Sequence, residues 1–216
     1  MNEILENALQ NRFDKAGPLV VKALEKRGFE AYYIKNEKDV ANKVLELIPK
    51  TNSVSWGGSM TIDSLHIKLI LKENGYNLID RSTGKTKEEQ DSLMKQSLLC
   101  DTFMMSSNAI TEDGELYNID GNGNRVAALC YGPKNVLIIA GMNKVVKDID
   151  EAYERVRYYA APVNAQRFNL DTPCAKNGLC ANCLSNDTIC SQMVETRFCK
   201  PAKRIKLILV GKVLGM

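Results

Sequence analysis

With 216 residues, 44% of them apolar and 25% charged, the chain has the length and composition of one globular domain of moderate size. A net charge of +3, with no basic run longer than Lys203-Arg204 and its neighbours, gives no argument for a nucleic-acid partner. No apolar run approaches the roughly 20 residues of a membrane span, and the opening MNEILENALQNRFDKAG is charged and lacks the apolar centre of a signal peptide, so the expectation is a cytoplasmic protein. Seven cysteines in such a chain point to a metal site or buried thiols rather than to disulfides.

In chain order, residues 3 to 27 carry an interrupted apolar stripe (Ile4, Leu5, Leu9, Phe13, Leu19, Val20, Ala23, Leu24) that predicts a helix. A kink or break is expected at Gly17-Pro18, and Gly28 suits the helix C-terminal cap. A strand follows from Ala31 to Ile34, then a helix from Val40 to Ile48 that ends at Pro49. Ser53 to Trp56 reads as a strand running into Gly57-Gly58-Ser59-Met60-Thr61, with a helix from about Ile62 to Glu73. Beyond Gly75 come a strand from Asn77 to Ile79, a helix from Lys87 to Ser97 and a strand from Thr102 to Met105.

From Ser106 to Met142 the pattern reads as a short strand, a tight turn at Asp113-Gly114, two more strands, and a buried strand from Val136 to Ala140. Asp148 to Ala160 is a further helix, with Asp148 and Asp150 near its positive end. Arg204 to Val210 is a last strand. This alternation implies an α/β fold with a largely parallel sheet flanked by helices. The 106–131 insert, antiparallel in character, is expected at one edge of that sheet. One domain spans 1–216, with an N-terminal helical segment (1–28) and a cysteine loop (172–199).

Two polar, glycine-bearing segments are candidate ligand sites. In SVSWGGSMTIDSL, Gly57, Gly58, Ser59 and Thr61 stand at a strand-to-helix turn, where free backbone N–H groups hold a phosphate or carboxylate. The alternative is that Ser59 is only an N-cap and the glycines only make the turn. The segment is not a P-loop and lacks the dinucleotide fingerprint. In the second segment Asn108, Asn118, Asp120, Gly121, Asn124 and Arg125 are candidates, while Asp113 reads as a plain turn residue. Loops following strands of one sheet converge at the strands' carboxyl ends, where open α/β sheets bind ligands. The single histidine, His66, lies in an apolar stretch and reads as a partly buried structural residue, so histidine acid–base chemistry has little support.

Near the C-terminus, DTPCAKNGLCANCLSNDTIC separates Cys174, Cys180, Cys183 and Cys190 by five, two and six residues. Four thiols in one short loop can close around a single ion or cluster. With no histidine nearby, the choice lies between a [4Fe–4S] cluster and structural zinc, and the spacing does not decide between them. The alternative is four packed free thiols. Cys199 is a spare ligand; Cys100 and Cys130 lie in apolar segments and read as core.

The insert SSNAITEDGELYNIDGNGNRVAALCYGPKNVLIIAGMNKVV, the segment AAPVNAQR, the TPC…GLCANC…C loop and the closing RIKLILVGKVLGM together resemble the lactate-utilisation (LUD) domain family, in particular its stand-alone members. The resemblance covers essentially the whole chain. It implies a fold similar to the ribose-5-phosphate isomerase, glucosamine-6-phosphate deaminase and CoA-transferase group. There the Gly-rich turn, here Gly57, Gly58, Ser59 and Thr61, holds phosphate or part of CoA. Asn108 to Arg125 is also distantly similar to the site segment of sugar-phosphate isomerases related to translation initiation factor 2B. Those enzymes have a catalytic Asp where this chain has Asn108, which speaks against isomerase activity.

The resemblance implies a part in oxidising L-lactate or another organic acid, with a small anionic metabolite as ligand and iron–sulfur redox proteins as partners. Two other readings stand beside it. One is a sugar-phosphate or CoA-ester enzyme of the same fold, with Asp120 as base and Arg125 as anion clamp. The other is a non-catalytic module whose cysteine loop is a zinc staple. The sequence leaves the oligomeric state open.

Overall fold

The runs NVLIIAG and IKLILV are apolar at nearly every position, the pattern of strands covered on both faces. In the computed structural model, which describes residues 3–216, they are the central strands β7 (Asn135–Gly141) and β10 (Ile205–Val210). Around them lie β1 (Glu30–Ile34), β2 (Ser53–Trp56), β3 (Asn77–Ile79) and β4 (Thr102–Met105), in the order β1-β10-β7-β4-β2-β3 with every pairing parallel.

Side chains of β7 alternate between the faces. Val136, Ile138 and Ala140 join one core with Phe13, Val20, Leu24, Phe103 and Leu207. Leu137 and Ile139 join the other with Val44, Ile62, Ile67, Leu71 and Ile208. Helix α1 (Glu3–Lys26) covers the first face; α2 (Val40–Leu47), α3 (Met60–Ser64) and α4 (Ile67–Glu73) cover the second, and α5 (Lys87–Gln96) lies between β3 and β4 in the chain. The expected parallel sheet between helices is thus the fold.

Several local expectations are corrected. Helix α1 runs unbroken through Pro18. Gly17 is instead a close-approach position, since a Cβ there would collide with the Tyr33 ring. Asp14 of the same helix takes hydrogen bonds from Tyr33 at 2.8 Å and Gln10 at 2.9 Å and an ion pair from Lys35, which clamp α1 to β1 across Pro18. The helix expected over 62–73 is two helices, because His66 adopts a left-handed backbone (φ 53°) between α3 and α4. His66 is exposed there, not partly buried. The turn lets α3 sit under β7 while α4 sinks Ile67 and Leu71 into the second core.

The insert differs most. After β5 (Ala109–Thr111), the Asp113-Gly114 turn and β6 (Leu116–Asp120), the stretch expected to be another strand is the short helix α6 (Asn124–Cys130). Gly123, at φ +81°, turns the chain into it, and Val126, Ala128 and Leu129 are buried. The insert does not extend the main sheet. It forms a second sheet, β8-β5-β6-β9, with β8 (Val145–Val146) parallel to β5, and β9 (Gln192–Thr196) antiparallel to β6. Of the outlying thiols, Cys100 and Cys199 are buried as core residues, but Cys130 is exposed. Among the described residues no helix is long and apolar enough to cross a membrane.

Candidate functional site

Because the six strands are parallel, the segments that leave their carboxyl ends share one edge of the sheet. Gly58 to Thr61 follow β2, Arg81 follows β3, Ser106 to Asn108 follow β4, Lys144 follows β7 and Gly215 follows β10. They line a cleft of about 400 Å³, the size of a small-molecule site. It is also lined by Asp120, Gly121 and Asn122 ahead of α6 and Asn124 at its start, by Ala160, Ala161, Asn164, Arg167 and Phe168, and by Asn186 to Ile189 of the cysteine loop.

Lys144, which sequence reasoning missed, is the deepest charged group in this cleft. It is 5% exposed and its Nζ donates to Ser106 Oγ at 2.9 Å and Thr61 Oγ1 at 3.2 Å. No carboxylate of the described residues pairs with it. Burial, followed by the nearby positive charges of Arg155 and Arg125, pulls its ammonium down to about 7. The available signal was a lysine three residues beyond a fully apolar strand (IIAGMNK), a place where solvent exposure is not expected. Gly215 lies over the same spot at φ +65°; a Cβ there would stand 2.6 Å from Thr61 Oγ1 and 3.4 Å from Lys144 Nζ.

Arg125 is partly buried, its side chain 12% exposed, and its terminal nitrogens are fully engaged. Nη1 donates to Asn118 Oδ1 at 2.7 Å and to the Ser106 carbonyl at 3.1 Å; Nη2 donates to Asn108 Oδ1 at 2.8 Å and to the Ile119 carbonyl at 2.6 Å. Its Nε lies 3.6 Å from Asp120 Oδ2. Arg125 therefore ties the loop after β4 to β6, with its stem against Gly57, where a Cβ would come within 3.0 Å of Arg125 Cδ. Asn118, fully buried, also donates to Ser107 Oγ at 3.3 Å, and Asn108 Oδ1 accepts from Ile119 N at 3.1 Å.

Asn108 lines the cleft, but Gly57 and Asn118 stand behind its wall. Asp120 takes the Gly123 N–H on Oδ1 at 3.1 Å, while its Oδ2 is buried without a hydrogen-bond partner. Ser59 caps α3 by accepting from Ile62 N at 3.3 Å, so its capping role is realised alongside its place in the cleft. Gly121 and Asn124 face the cleft; a Cβ on Gly121 would lie 3.1 Å from Ile189 Cα, so it lets the cysteine loop close against β6. Asp113 does form the exposed turn residue between β5 and β6.

Cys174, Cys180, Cys183 and Cys190 line one small apolar enclosure of about 20 Å³ with Arg157, Thr172 and Pro162. Thr172 caps α9 (Pro173–Asn177) and so sets Cys174 at the enclosure. Between α7 (Ile149–Glu154) and α8 (Ala161–Ala165), the helix widens to a π-turn over Arg155–Ala160. This turn aims two arginines apart. Arg155 Nη1 donates to the Asn108 carbonyl at 2.7 Å, toward the cleft. Arg157, 6% exposed, donates to Asn182 Oδ1 at 2.6 Å and to Cys180 Sγ at 3.4 Å, and its Nε has no partner.

Against the upward push of burial, the Asn182 N–H and the Arg157 guanidinium bring the Cys180 thiol below its ordinary value. A buried cation beside four thiols fits an anionic all-thiolate centre. Among the described residues, however, no three cysteine, histidine or carboxylate side chains are gathered as a metal-holding group. Cys199 is remote from the enclosure: its Sγ accepts from Ile205 N at 3.3 Å within the core. Ala161, Thr188 and Ile189 line both the cleft and the enclosure and so form their common wall.

Comparison with curated proteins gives no match. A DUF162 family protein from Deinococcus radiodurans has a similar crystal structure, with TM-score 0.54 and 9% identity over 92% of this chain and 97% of that one, and so shows the same fold. eIF2B delta from Chaetomium thermophilum, at TM-score 0.34 and 16% identity over 55% of this chain and 53% of its own, is too distant to bear on the site. The LUD domain model matches residues 18–210, nearly all of the sheet, cleft and cysteine loop described above, and the chain belongs to that family.

Proposed function

We propose that this LUD domain protein takes a small organic-acid anion into the cleft and serves organic-acid oxidation, with the cysteine loop as an all-thiolate metal centre. The observation that carries the reading is the uncompensated positive charge of the cleft. Asp120 and Arg125 offset each other, so among the described side chains that line the cleft Lys144, Arg81 and Arg167 stand against Asp187. A buried ammonium whose partners among the described residues are two hydroxyls is costly, and an anionic ligand relieves that cost. Family membership supports the link to lactate utilisation.

Since the terminal nitrogens of Arg125 are already engaged, holding the anion falls to Lys144 and the rim arginines. Asn108 and Arg125 act by keeping the loop after β4 in place. At the second site, Cys174, Cys180, Cys183 and Cys190 would hold a [4Fe–4S] cluster, or zinc in its place, with Arg157 balancing its charge. A cluster would supply one-electron transfer; zinc would supply only cross-linking.

Titration calorimetry with L-lactate, pyruvate, ribose 5-phosphate and CoA tests the reading. Saturable binding of the two small acids, weakened at least about tenfold in Lys144→Met, is expected for loss of a buried charge–charge hydrogen bond. Binding of ribose 5-phosphate or CoA in preference to both acids would replace this reading with the sugar-phosphate or CoA-ester one.

A further inference from the structure

A lysine buried in a ligand cleft with no acid beside it has two chemical uses. As an ammonium it pairs with an anion; as a neutral amine it is a nucleophile. The geometry around Lys144 favours the second at the moment of reaction. A neutral amine has two N–H bonds, and here two hydroxyls, Ser106 Oγ at 2.9 Å and Thr61 Oγ1 at 3.2 Å, stand ready to accept them. With the bond to Cε occupying the third tetrahedral direction, the lone pair takes the fourth. Gly215 packs closely over this group, since a Cβ there would stand 2.6 Å from Thr61 Oγ1 and 3.4 Å from Nζ, and its lack of a side chain keeps Nζ from being capped. Arg155 and Arg125 both favour the uncharged form, and Asp120 is paired with Arg125.

We infer that Lys144 forms an imine with the carbonyl carbon of a small oxo acid bound in the cleft, the carboxylate of that acid being left to the rim arginines Arg81 and Arg167. The inference rests on the anion-binding reading above and adds to it the substrate class and a covalent step. The Nζ lone pair attacks the carbonyl carbon and its π pair moves to oxygen, giving a carbinolamine. The two protons of the amine pass, through the Ser106 and Thr61 hydroxyls, to that oxygen, which leaves as water as the C=N bond forms. No oxidant, reductant or metal enters the step. The depressed basicity of the amine places an appreciable neutral fraction at neutral pH, whereas an ordinary surface lysine is almost wholly protonated there.

The test is reductive trapping of the full-length protein with pyruvate and borohydride at pH 7.5, read by intact mass and peptide mapping, beside calorimetric binding of pyruvate without reductant. One adduct per chain, mapped to Lys144 and lost in Lys144→Arg, is the expected result. Mapping the adduct in the unaltered protein keeps the test valid even where a Lys144 variant misfolds. Ser106→Ala is expected to slow trapping by about tenfold, less than the full effect of a positioned proton carrier because Thr61 remains. Saturable pyruvate binding with no adduct would overturn the imine while leaving the anion site standing. Adducts scattered over exposed lysines would also overturn it, and absence of any pyruvate binding would remove both readings.

Discussion

The guanidinium of Arg125 donates to the side-chain oxygen of Asn118 at 2.7 Å, and Asn118 is fully buried. Through that bond and those to the Ser106 carbonyl and Asn108 Oδ1, a residue of α6 holds β6 to the loop after β4, so the second sheet and the main sheet meet at the cleft. The sequence pointed to both residues as ligand contacts; the structure joins them to each other.

Removing Arg125 therefore acts first on folding. Arg125→Ala leaves Asn118 Oδ1, Asn108 Oδ1 and two carbonyls short of a donor, and leaves the Asp120 carboxylate without its counter-ion. Urea unfolding is expected to show a loss of roughly 3–5 kcal/mol, the usual cost of breaking a buried charged network. A loss below about 1 kcal/mol would mean that the network is not formed in solution.

Asp120→Asn is milder. Its Oδ1 keeps the Gly123 N–H, but the ion pair with Arg125 is lost and an amide group faces a guanidinium. A destabilisation of about 1–3 kcal/mol is expected. Small-acid affinity, measured calorimetrically on the folded fraction, is expected to rise, since a negative group leaves the cleft wall. Weaker binding would instead assign Asp120 a direct contact with the ligand.

Lys144 sets a pH dependence whose sign follows from linkage. Its proton is held more weakly in the native state (about 7) than in the unfolded chain (ordinary value 10.5), so between those values the unfolded state binds more protons. Stability therefore rises with pH across that window, by up to about 1.4 kcal/mol per pH unit for one full proton. Lys144→Met removes this slope, and its denaturation midpoint should exceed that of the unaltered protein most clearly below pH 7. Parallel midpoint–pH curves for the two proteins would show that Lys144 titrates normally.

For the cysteine loop, Cys183→Ser is expected to abolish metal content in anaerobically purified protein, measured by metal and acid-labile sulfide analysis. Cys199→Ser is expected to retain it, because its thiol is bound up in the core with Ile205 N and the Pro201 carbonyl. Iron with sulfide in the unaltered protein assigns a cluster; zinc alone assigns a staple. Equal metal in Cys183→Ser and the unaltered protein would dissolve the site.

What the residues determine locally was legible in the chain. The apolar runs at 135–141 and 205–210, the Gly28 cap and the Asp113-Gly114 turn each act within a few residues, through burial pattern or backbone freedom. The sequence also indicated that polar loops would gather at the strands' carboxyl ends. It misjudged stretches where a distant partner outweighs local preference. Pro18 stays helical because Asp14 ties α1 to Tyr33 and Lys35, and the VAALC stretch becomes a helix because its apolar side chains have a core to enter.

Only the tertiary structure decided which candidate groups face ligand and which face one another. Arg125, exposed to no acid in the linear order except Asp120, finds Asn108, Asn118 and two carbonyls in space and is turned inward. Lys144, marked in the sequence only by its place just beyond an apolar strand, is left with two hydroxyls, Ser106 of the loop after β4 and Thr61 of α3, 38 and 83 residues away. Hydrogen-bond satisfaction in a buried site is settled by all the groups folded around it, and that set exists only once the two sheets have met.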